Sequence, residues 1–231
     1  EDNLSFNTII PEKKFSAISE KKRTNSTMFV EEETGKLIFY DWKNQKETQS
    51  KLTFESKPLR IISKENNVCF ALTKNSELIL YDSRCSQFQH SLQFDSANLT
   101  ATSMCSWPNN ETHPILAVGF KEGFVQIIDS RVMLPISSII TNSVNNVTPC
   151  CRNCCNFVVS SDNTIEVFDA FLGCSELIID LPRATITPYV GNVVITGNND
   201  VFYLDCENFE ASLILQDKNI QFPNNNNIQF C

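Results

Sequence analysis

Histidine, basic charge and long apolar runs are what this chain has least of. Its 231 residues include two histidines, and both His90 and His113 stand alone in a predicted strand or loop. No phosphate-binding loop, dinucleotide-binding fingerprint or nucleophile elbow occurs in the sequence. A general acid–base pair needs two groups brought into one cleft, and no such pair can be recognised. The sequence therefore predicts a protein that is not an enzyme and that needs no cofactor.

The formal net charge is −8, with 27 acidic and 19 basic residues. Phosphate binding requires a concentrated basic surface, so we expect no nucleic acid among the ligands. The longest uncharged stretch, Val132–Cys151, contains Pro135 and Pro149 and is not expected to span a membrane. No secretory leader pattern opens the chain. Because the sequence begins with Glu1 rather than Met, we expect it to be a piece of a longer protein.

Four of the ten cysteines cluster before a predicted strand and include one C-x-x-C pattern. They are Cys150, Cys151, Cys154 and Cys155. A structural zinc site needs about four nitrogen or sulfur ligands, and the nearest candidates to complete one are Cys174 and Cys206. Metal ligands, disulfides and buried thiols are all compatible with this spacing. We expect thiols packed in the core or in turns, no bound metal, and a reducing, cytoplasmic compartment.

The sequence does contain a recurring hairpin, seen best in Ile115–Arg131. Two apolar runs, Ile115–Phe120 and Phe124–Ile128, flank a turn that contains Gly123, and Asp129 closes the second run. Short runs rich in β-branched and aromatic residues around a Gly-bearing turn predict a β-hairpin. Neither run alternates with a period of two, which indicates that both faces of the hairpin are buried.

The same unit occurs five times, each with an apolar strand, a polar turn, a second apolar strand and a closing Asp. The copies are Met28–Asp41, Cys69–Asp82, Leu116–Asp129, Phe157–Asp169 and Val193–Asp205. The closing Asp residues lie 36 to 47 positions apart, and an interval of about 40–45 residues is typical of β-propeller blades. Unrelated hairpins that match by chance are the alternative, but the shared interval and closing Asp argue against it.

Every copy leaves room for an inner strand before the hairpin and an outer strand after it. The predicted inner strands are Phe15–Ser19, Leu59–Ser63, Thr102–Trp107, Val147–Cys151 and Thr185–Val190. The predicted outer strands are Lys51–Phe54, Phe88–Phe94, Ile136–Thr141, Glu176–Leu181 and Ser212–Leu215. We therefore predict an all-β chain of about five four-stranded blades, forming a single propeller domain or propeller fragment over residues 1–231. The ends, 1–22 and 217–231, are expected to be linkers or remnants of neighbouring blades, with a flexible tail at the Asn run 224–227.

These repeats resemble WD40 repeats, in which the second strand of each hairpin ends in Trp-Asp. The position of that Trp holds Tyr40, Tyr81, Ile128, Phe168 and Leu204, and the Gly-His that usually precedes each inner strand is missing. The resemblance implies a divergent WD40-like β-propeller in which the hydrogen-bonded tetrad of typical blades cannot be assumed. Because WD40 propellers typically have seven blades, it also implies that this chain is part of a larger propeller.

Two segments are similar to the C-terminal propeller of the Raptor family, the substrate-recruiting scaffolds of the TOR kinase complex. Phe39–Glu47 is similar to a W-D-W-E-x-G-E-K segment of that family, and Ala117–Arg131 resembles a later blade of the form A-G-F-x-D-G-x-V-R-V-Y-D-R-R. Their order matches, and Ala97–Ser106 is similar to the corresponding inner strand, so the resemblance touches about a third of the chain. It implies a non-enzymatic scaffold of TOR complex 1 in nutrient and growth signalling, with kinase-complex subunits or substrates as partners.

Four residues are candidates for protein binding, namely Trp42, Arg84, Trp107 and Arg131. Trp42 follows a closing Asp, and Trp107 precedes a predicted loop at the rim. Arg84 and Arg131 occupy equivalent positions after two hairpins, where each D-x-R resembles the W-D-x-R box of propellers that dock onto ubiquitin-ligase adaptors. That resemblance implies a substrate receptor or adaptor as the alternative function. A propeller hydrolase, the third alternative, would need polar residues clustered around a central channel.

Overall fold

The five predicted hairpins are all present in the computed structural model. It describes residues 15–21, 26–31, 33–41, 43–63, 68–82, 88–94, 98–107, 114–150, 155–189, 192–197, 200–206, 210–215 and 228–230. Within these ranges there is no helix, and the strands pair into five antiparallel sheets. The predicted all-β class is therefore confirmed. The chain divides into two compact units, residues 1–95 and 96–231, and the prediction of one propeller domain over the whole chain stays a prediction.

The first unit contains two sheets in which each strand pairs with the next along the chain. The first sheet has β1 (Phe15–Lys21), β2 (Ser26–Glu31), β3 (Lys36–Asp41) and β4 (Lys46–Thr53). The second sheet has β5 (Pro58–Ser63), β6 (Val68–Thr73), β7 (Glu77–Asp82) and β8 (Phe88–Gln93). Met28 and Val30 of β2 belong to one buried cluster with Ile61 and Ala71 of the second sheet, so the two sheets share a core.

The second unit contains three sheets with the same succession of strands. The third sheet has β9 (Ala101–Ser106), β10 (Ile115–Phe120), β11 (Phe124–Asp129) and β12 (Leu134–Ile140). The fourth sheet has β13 (Asn146–Pro149), β14 (Asn156–Ser160), β15 (Thr164–Asp169) and β16 (Ser175–Asp180). The fifth sheet has β17 (Thr185–Tyr189), β18 (Asn192–Gly197), β19 (Asp200–Asp205) and β20 (Glu210–Leu215). A short last strand, β21 (Ile228–Phe230), pairs with β16 at the outer edge of the fourth sheet.

The fourth sheet is buried on both faces, because successive residues of a strand point to opposite sides. Phe157 and Val159 of β14 pack in one cluster with Val125 of the third sheet. Val158, between them, packs in another cluster with Val193 of the fifth sheet. Continuous apolar strands are what such burial on two sides requires, which explains why the hairpins show no period of two.

The predicted strands agree closely with the observed ones, and every third strand ends at its closing Asp. The inner and outer strands begin and end within about two residues of their predicted positions, within the usual uncertainty of strand boundaries. The exception is β4, which begins at Lys46 rather than at Lys51. Within residues 217–231, expected to be a linker or a remnant of a neighbouring blade, Ile228–Phe230 forms the strand β21 on the outer edge of β16. The Asn run 224–227 lies outside the described residues.

The third and fourth sheets approach closely at Gly119 of β10. A Cβ atom built at Gly119 would lie 2.5 Å from Cγ1 of Val144 and 2.8 Å from Cγ2 of Val147. Real Cβ atoms do not approach other heavy atoms so closely, so a side chain here would force the neighbouring valines to move. The absence of a side chain at Gly119 thus allows the packing between these two sheets.

We expect Gly119→Ala to lower the free energy of unfolding by about 1–3 kcal/mol, the usual cost of overpacking a core. Urea unfolding followed by circular dichroism measures it. In the double variant Gly119→Ala/Val144→Ala the shortest clash is removed, so its cost should be smaller than the sum of the two single costs. Strictly additive costs would contradict a direct clash between the two positions.

Candidate interaction surface

The repeated Asp has a local structural role, because it caps the turn that follows the third strand of a sheet. Asp41 accepts a hydrogen bond from the backbone N of Asn44 at 3.1 Å. Asp169 accepts from the backbone N atoms of Phe171 and Leu172, both at 2.7 Å. Aspartate side chains commonly close turns by bonding to the backbone two or three residues on. In the first and fourth sheets the Asp therefore closes the same turn at the same place.

In the third sheet the closing Asp also holds the candidate contact residue Arg131. Asp129 Oδ1 accepts from the backbone N of Arg131 at 2.9 Å and from its Nε at 3.0 Å, and Oδ2 accepts from Nη2 at 2.6 Å. The Arg131 side chain is nevertheless 66% exposed. The hydrogen bonds from Arg131 hold the pKa of Asp129 below its ordinary value, against the opposing effect of burial. Arg131 is thus an oriented surface cation, and its contact with a partner stays a prediction.

Trp107 has an interior position, which changes the interpretation of this residue. Its side chain is 2% exposed, its Nε1 donates to the backbone O of Asn156 at 3.0 Å, and its ring meets Phe157 edge to face. The indole therefore joins the end of β9 to the start of β14, and we no longer consider it a surface contact. The following Pro108 predicted a loop at this position, whereas Trp107 directly follows β9 and its side chain is buried. Trp42 and Arg84 lie outside the described residues.

Eight large apolar side chains are exposed in the described part of the chain, and sequence analysis did not identify them as a group. They are Val132, Leu134, Ile136, Ile140, Phe171, Leu172, Leu213 and Ile214. All belong to the second unit, and all lie in outer strands or in the turns that lead into them. Exposed apolar residues that cluster, rather than occur singly, mark interaction sites. The sequences of β12 and β20 do not show which face of each strand is buried, so these exposed residues could not be identified from sequence.

We use the name apolar outer surface for three of these residues, Ile140, Phe171 and Leu172, at the end of β12 and in the turn that leads into β16. Ile140 is 86% exposed and Leu172 is 76% exposed. The turn that contains Phe171 and Leu172 is next to the end of β12, since a Cβ atom at Gly173 would lie 3.6 Å from Cγ1 of Ile139. Ile139 is buried, and Ile140, the next residue of the strand, points to the opposite side. The exposed apolar residues therefore come from both the third and the fourth sheet.

A disulfide joins Cys150, after β13, to Cys206, after β19, so the fourth and fifth sheets are covalently linked. The expectation of free thiols is wrong for these two residues. They are 56 positions apart in sequence, and the packing of the two sheets brings their Cα atoms to 5.7 Å, within the range that a disulfide bridges. Cys155 is a buried free thiol, and burial, followed by the charge of Asp169, raises its pKa. The other two cysteines of the cluster lie outside the described residues.

Glu166 of β15 is a buried carboxylate between the third and fourth sheets. Its Oε1 accepts hydrogen bonds from Thr141 Oγ1 at 3.2 Å, from Asn142 Nδ2 at 3.1 Å and from Thr164 Oγ1 at 3.0 Å. Burying a carboxylate is costly unless hydrogen bonds replace its water. The three donors supply that replacement, so Glu166 joins two sheets rather than facing a cleft.

The described residues contain no group of three or more His, Cys, Asp or Glu that could hold a metal ion. They also contain no helix that is long and apolar enough to cross a membrane. His90 is exposed on β8, and His113 lies outside the described ranges. No protein-family model matches the chain, and no curated protein matches it significantly in sequence.

Reduction of the disulfide between Cys150 and Cys206 is expected to lower the free energy of unfolding by about 4 kcal/mol. The cross-link restricts a long loop in the unfolded chain, with a sequence separation of 56 residues, and the loss of that restriction has roughly this cost. Urea unfolding with and without a phosphine reductant measures the difference. The variant Cys150→Ser/Cys206→Ser should be equally unstable in both conditions. If it responds to the reductant as the wild type does, other cysteines cause the effect.

Replacing Arg131 with Gln should raise the pKa of Asp129 toward its ordinary value of 3.8, because the guanidinium hydrogen bonds and charge are lost while the backbone donors remain. A carboxyl NMR titration measures this pKa. Since the folded pKa is the lower one, ionised Asp129 stabilises the fold above about pH 3.8, and this contribution is lost as the pH falls through the folded pKa. The stability difference between wild type and R131Q should therefore shrink in acid. Arg183→Gln is the matched control, and an equal effect of both variants would contradict the local pair.

Proposed function

We propose that this chain is part of a WD40-like β-propeller that acts as a non-enzymatic scaffold for protein interactions. Support comes from the five antiparallel sheets, each with four consecutive strands, which recur at blade-like intervals and pack face to face within each unit. The resemblance of Phe39–Glu47 and Ala117–Arg131 to the Raptor family extends the proposal to a Raptor-like subunit of TOR kinase complex 1. On that proposal the protein works in the cytoplasm, in nutrient and growth signalling.

The apolar outer surface is the observation that carries the scaffold proposal. Ile140, Phe171 and Leu172 expose apolar area at the end of β12 and in the turn between β15 and β16. Burying such area against a partner contributes roughly 25 cal/mol for each Å². Because the surface is already ordered by its strands, binding would need little further ordering of the chain.

The charge of the chain indicates the chemistry of the partner. With a net charge of −8, long-range attraction favours a protein whose binding face is basic around an apolar centre. Apolar contacts would supply affinity, and the basic rim would mainly increase the association rate. We therefore propose a protein partner with a basic rim.

The disulfide between Cys150 and Cys206 stands against a reducing compartment, where most structural thiols stay reduced. A cytoplasmic protein would hold these two residues as a buried pair of thiols between the fourth and fifth sheets. The unfolding experiment with reductant therefore bears on location as well as on stability.

A substrate receptor of a ubiquitin ligase is the second candidate function. The observation in its favour is Arg131, which Asp129 holds in place while most of its side chain stays exposed. An oriented arginine of this kind can form paired hydrogen bonds with a carboxylate on a partner. A propeller hydrolase is the third and least supported candidate, since the buried carboxylate Glu166 is occupied by three donors between two sheets.

The test is purification of the tagged full-length protein from its own cells, followed by identification of what binds to it. Recovery of TOR kinase, reduced at least tenfold by Ile140→Asp, supports the scaffold proposal, and a tenfold change corresponds to ~1.4 kcal/mol of binding free energy. Lys74→Gln, an exposed position in the first unit with the same one-unit change in charge, is the control.

Two other results, one from this purification and one from an enzyme assay, would overturn the proposal. Recovery of ubiquitin-ligase adaptors that is lost in Arg131→Ala would favour the receptor. Steady turnover of a panel of simple esters by the purified protein would overturn a non-enzymatic role.

A further inference from the structure

The outer edge of the fourth sheet is already occupied by a strand from a distant part of the same chain. β21 pairs antiparallel with the middle of β16, in the register Leu177 with Phe230, Ile178 with Gln229 and Ile179 with Ile228. Within the described residues, the other four sheets have four strands each. This edge therefore accepts an added strand through backbone pairing.

An open edge strand presents a row of unpaired backbone N–H and C=O groups, and an extended peptide can pair with them. On β16 the side chains beside this row are apolar. Leu177 is buried in the cluster shared with the fifth sheet, and Ile179 packs against that cluster. Directly paired residues of antiparallel strands share a face. A peptide that fits therefore has apolar residues opposite Leu177 and Ile179, with a polar residue tolerated between them.

The segment Ile228-Gln229-Phe230 has this apolar–polar–apolar pattern in its sequence. It nevertheless covers three of the six residues of β16, and a strand of five or six residues is usual in a stable sheet. A short strand forms few backbone hydrogen bonds. Ile228–Phe230 therefore occupies the edge of β16 only because it is part of the same chain. Because β16 and β21 belong to one chain, their pairing is intramolecular and has the advantage of a high effective concentration.

We propose that the outer edge of β16 at Leu177–Ile179 is a strand-addition site, and that Ile228–Phe230 occupies it until a partner displaces it. The partner is a protein segment in extended conformation with an apolar–polar–apolar core, long enough to pair along the whole of β16. A longer strand replaces the tail because it forms more backbone hydrogen bonds at the same edge. The proposal rests on the proposed scaffold function for the existence of a partner, whereas occupation of the edge by the tail is independent of it.

The first experiment is hydrogen exchange on the full chain and on the variant Ile228→Asp/Phe230→Asp. The backbone N–H groups of Leu177–Ile179 alternate between β15 and β21. Those that face β21 should exchange at least tenfold faster in the variant, because they lose their hydrogen-bond partner. The matched control is Leu213→Asp/Ile214→Asp, which changes two exposed apolar residues of β20 in the same way. Unchanged exchange in the tail variant, or equal acceleration in both variants, would overturn the proposal.

The second experiment measures binding of a fluorescent peptide with the sequence of residues 225–230, Asn-Asn-Asn-Ile-Gln-Phe. The tail variant should bind it at least tenfold more tightly than the full chain, in which the tethered segment competes. The same peptide with Asp in place of Ile and Phe should not bind. Equal affinity for variant and wild type, or no binding to either at millimolar peptide, would contradict a strand-addition site.

The two proposals can fail separately. If the edge opens and binds the peptide but no kinase-complex subunit is recovered from cells, the strand-addition site stands and the TOR scaffold proposal falls. If the kinase complex is recovered equally by wild type and tail variant and the edge does not exchange faster, the scaffold stands and the strand-addition site falls.

Discussion

All six residues of β10, from Ile115 to Phe120, are buried, so neither face of that strand can be left in water. The same holds for β14 in the fourth sheet. Burial of apolar area contributes about 25 cal/mol for each Å². A strand that is apolar on both sides gains this stabilisation in full only when another sheet packs against each side. Within each unit, the packing of one sheet on the next is therefore the interaction on which the remaining structure depends.

Several specific contacts reinforce that packing and could not form without it. The Trp107 indole donates to Asn156 across the third and fourth sheets, and Glu166 joins the same two sheets through its three donors. Gly119 permits the close approach of Val144 and Val147 to β10. The buried Trp107 Nε1 and Glu166 Oε1 are both hydrogen-bonded, which is the condition for a polar contact to stabilise a core. These buried groups therefore stabilise the packing of the sheets, and binding to a partner depends on the exposed residues.

The exposed parts differ between sheets although the framework repeats. After Asp129 the turn presents a cation, whereas after Asp169 it presents Phe171 and Leu172. The outer edges differ as well, since β16 is covered by β21 and β12 has apolar residues exposed along it. Rigid frameworks with variable turns and edges are where proteins commonly place binding residues. An interaction role is consistent with this division between a repeated interior and an individual surface.

The hairpins, the closing Asp and the four strands of each repeat were all determined by the sequence alone, because they depend on local patterns of apolar residues and turns. What only the tertiary structure decided are features that join distant positions. Cys150 and Cys206 meet because the fourth and fifth sheets pack together, and Trp107 is buried because β14 lies against it. Ile228–Phe230 becomes a strand because β16 has a free edge. Local patterns cannot reveal such pairings, since the energy that stabilises them comes from residues far away in the chain.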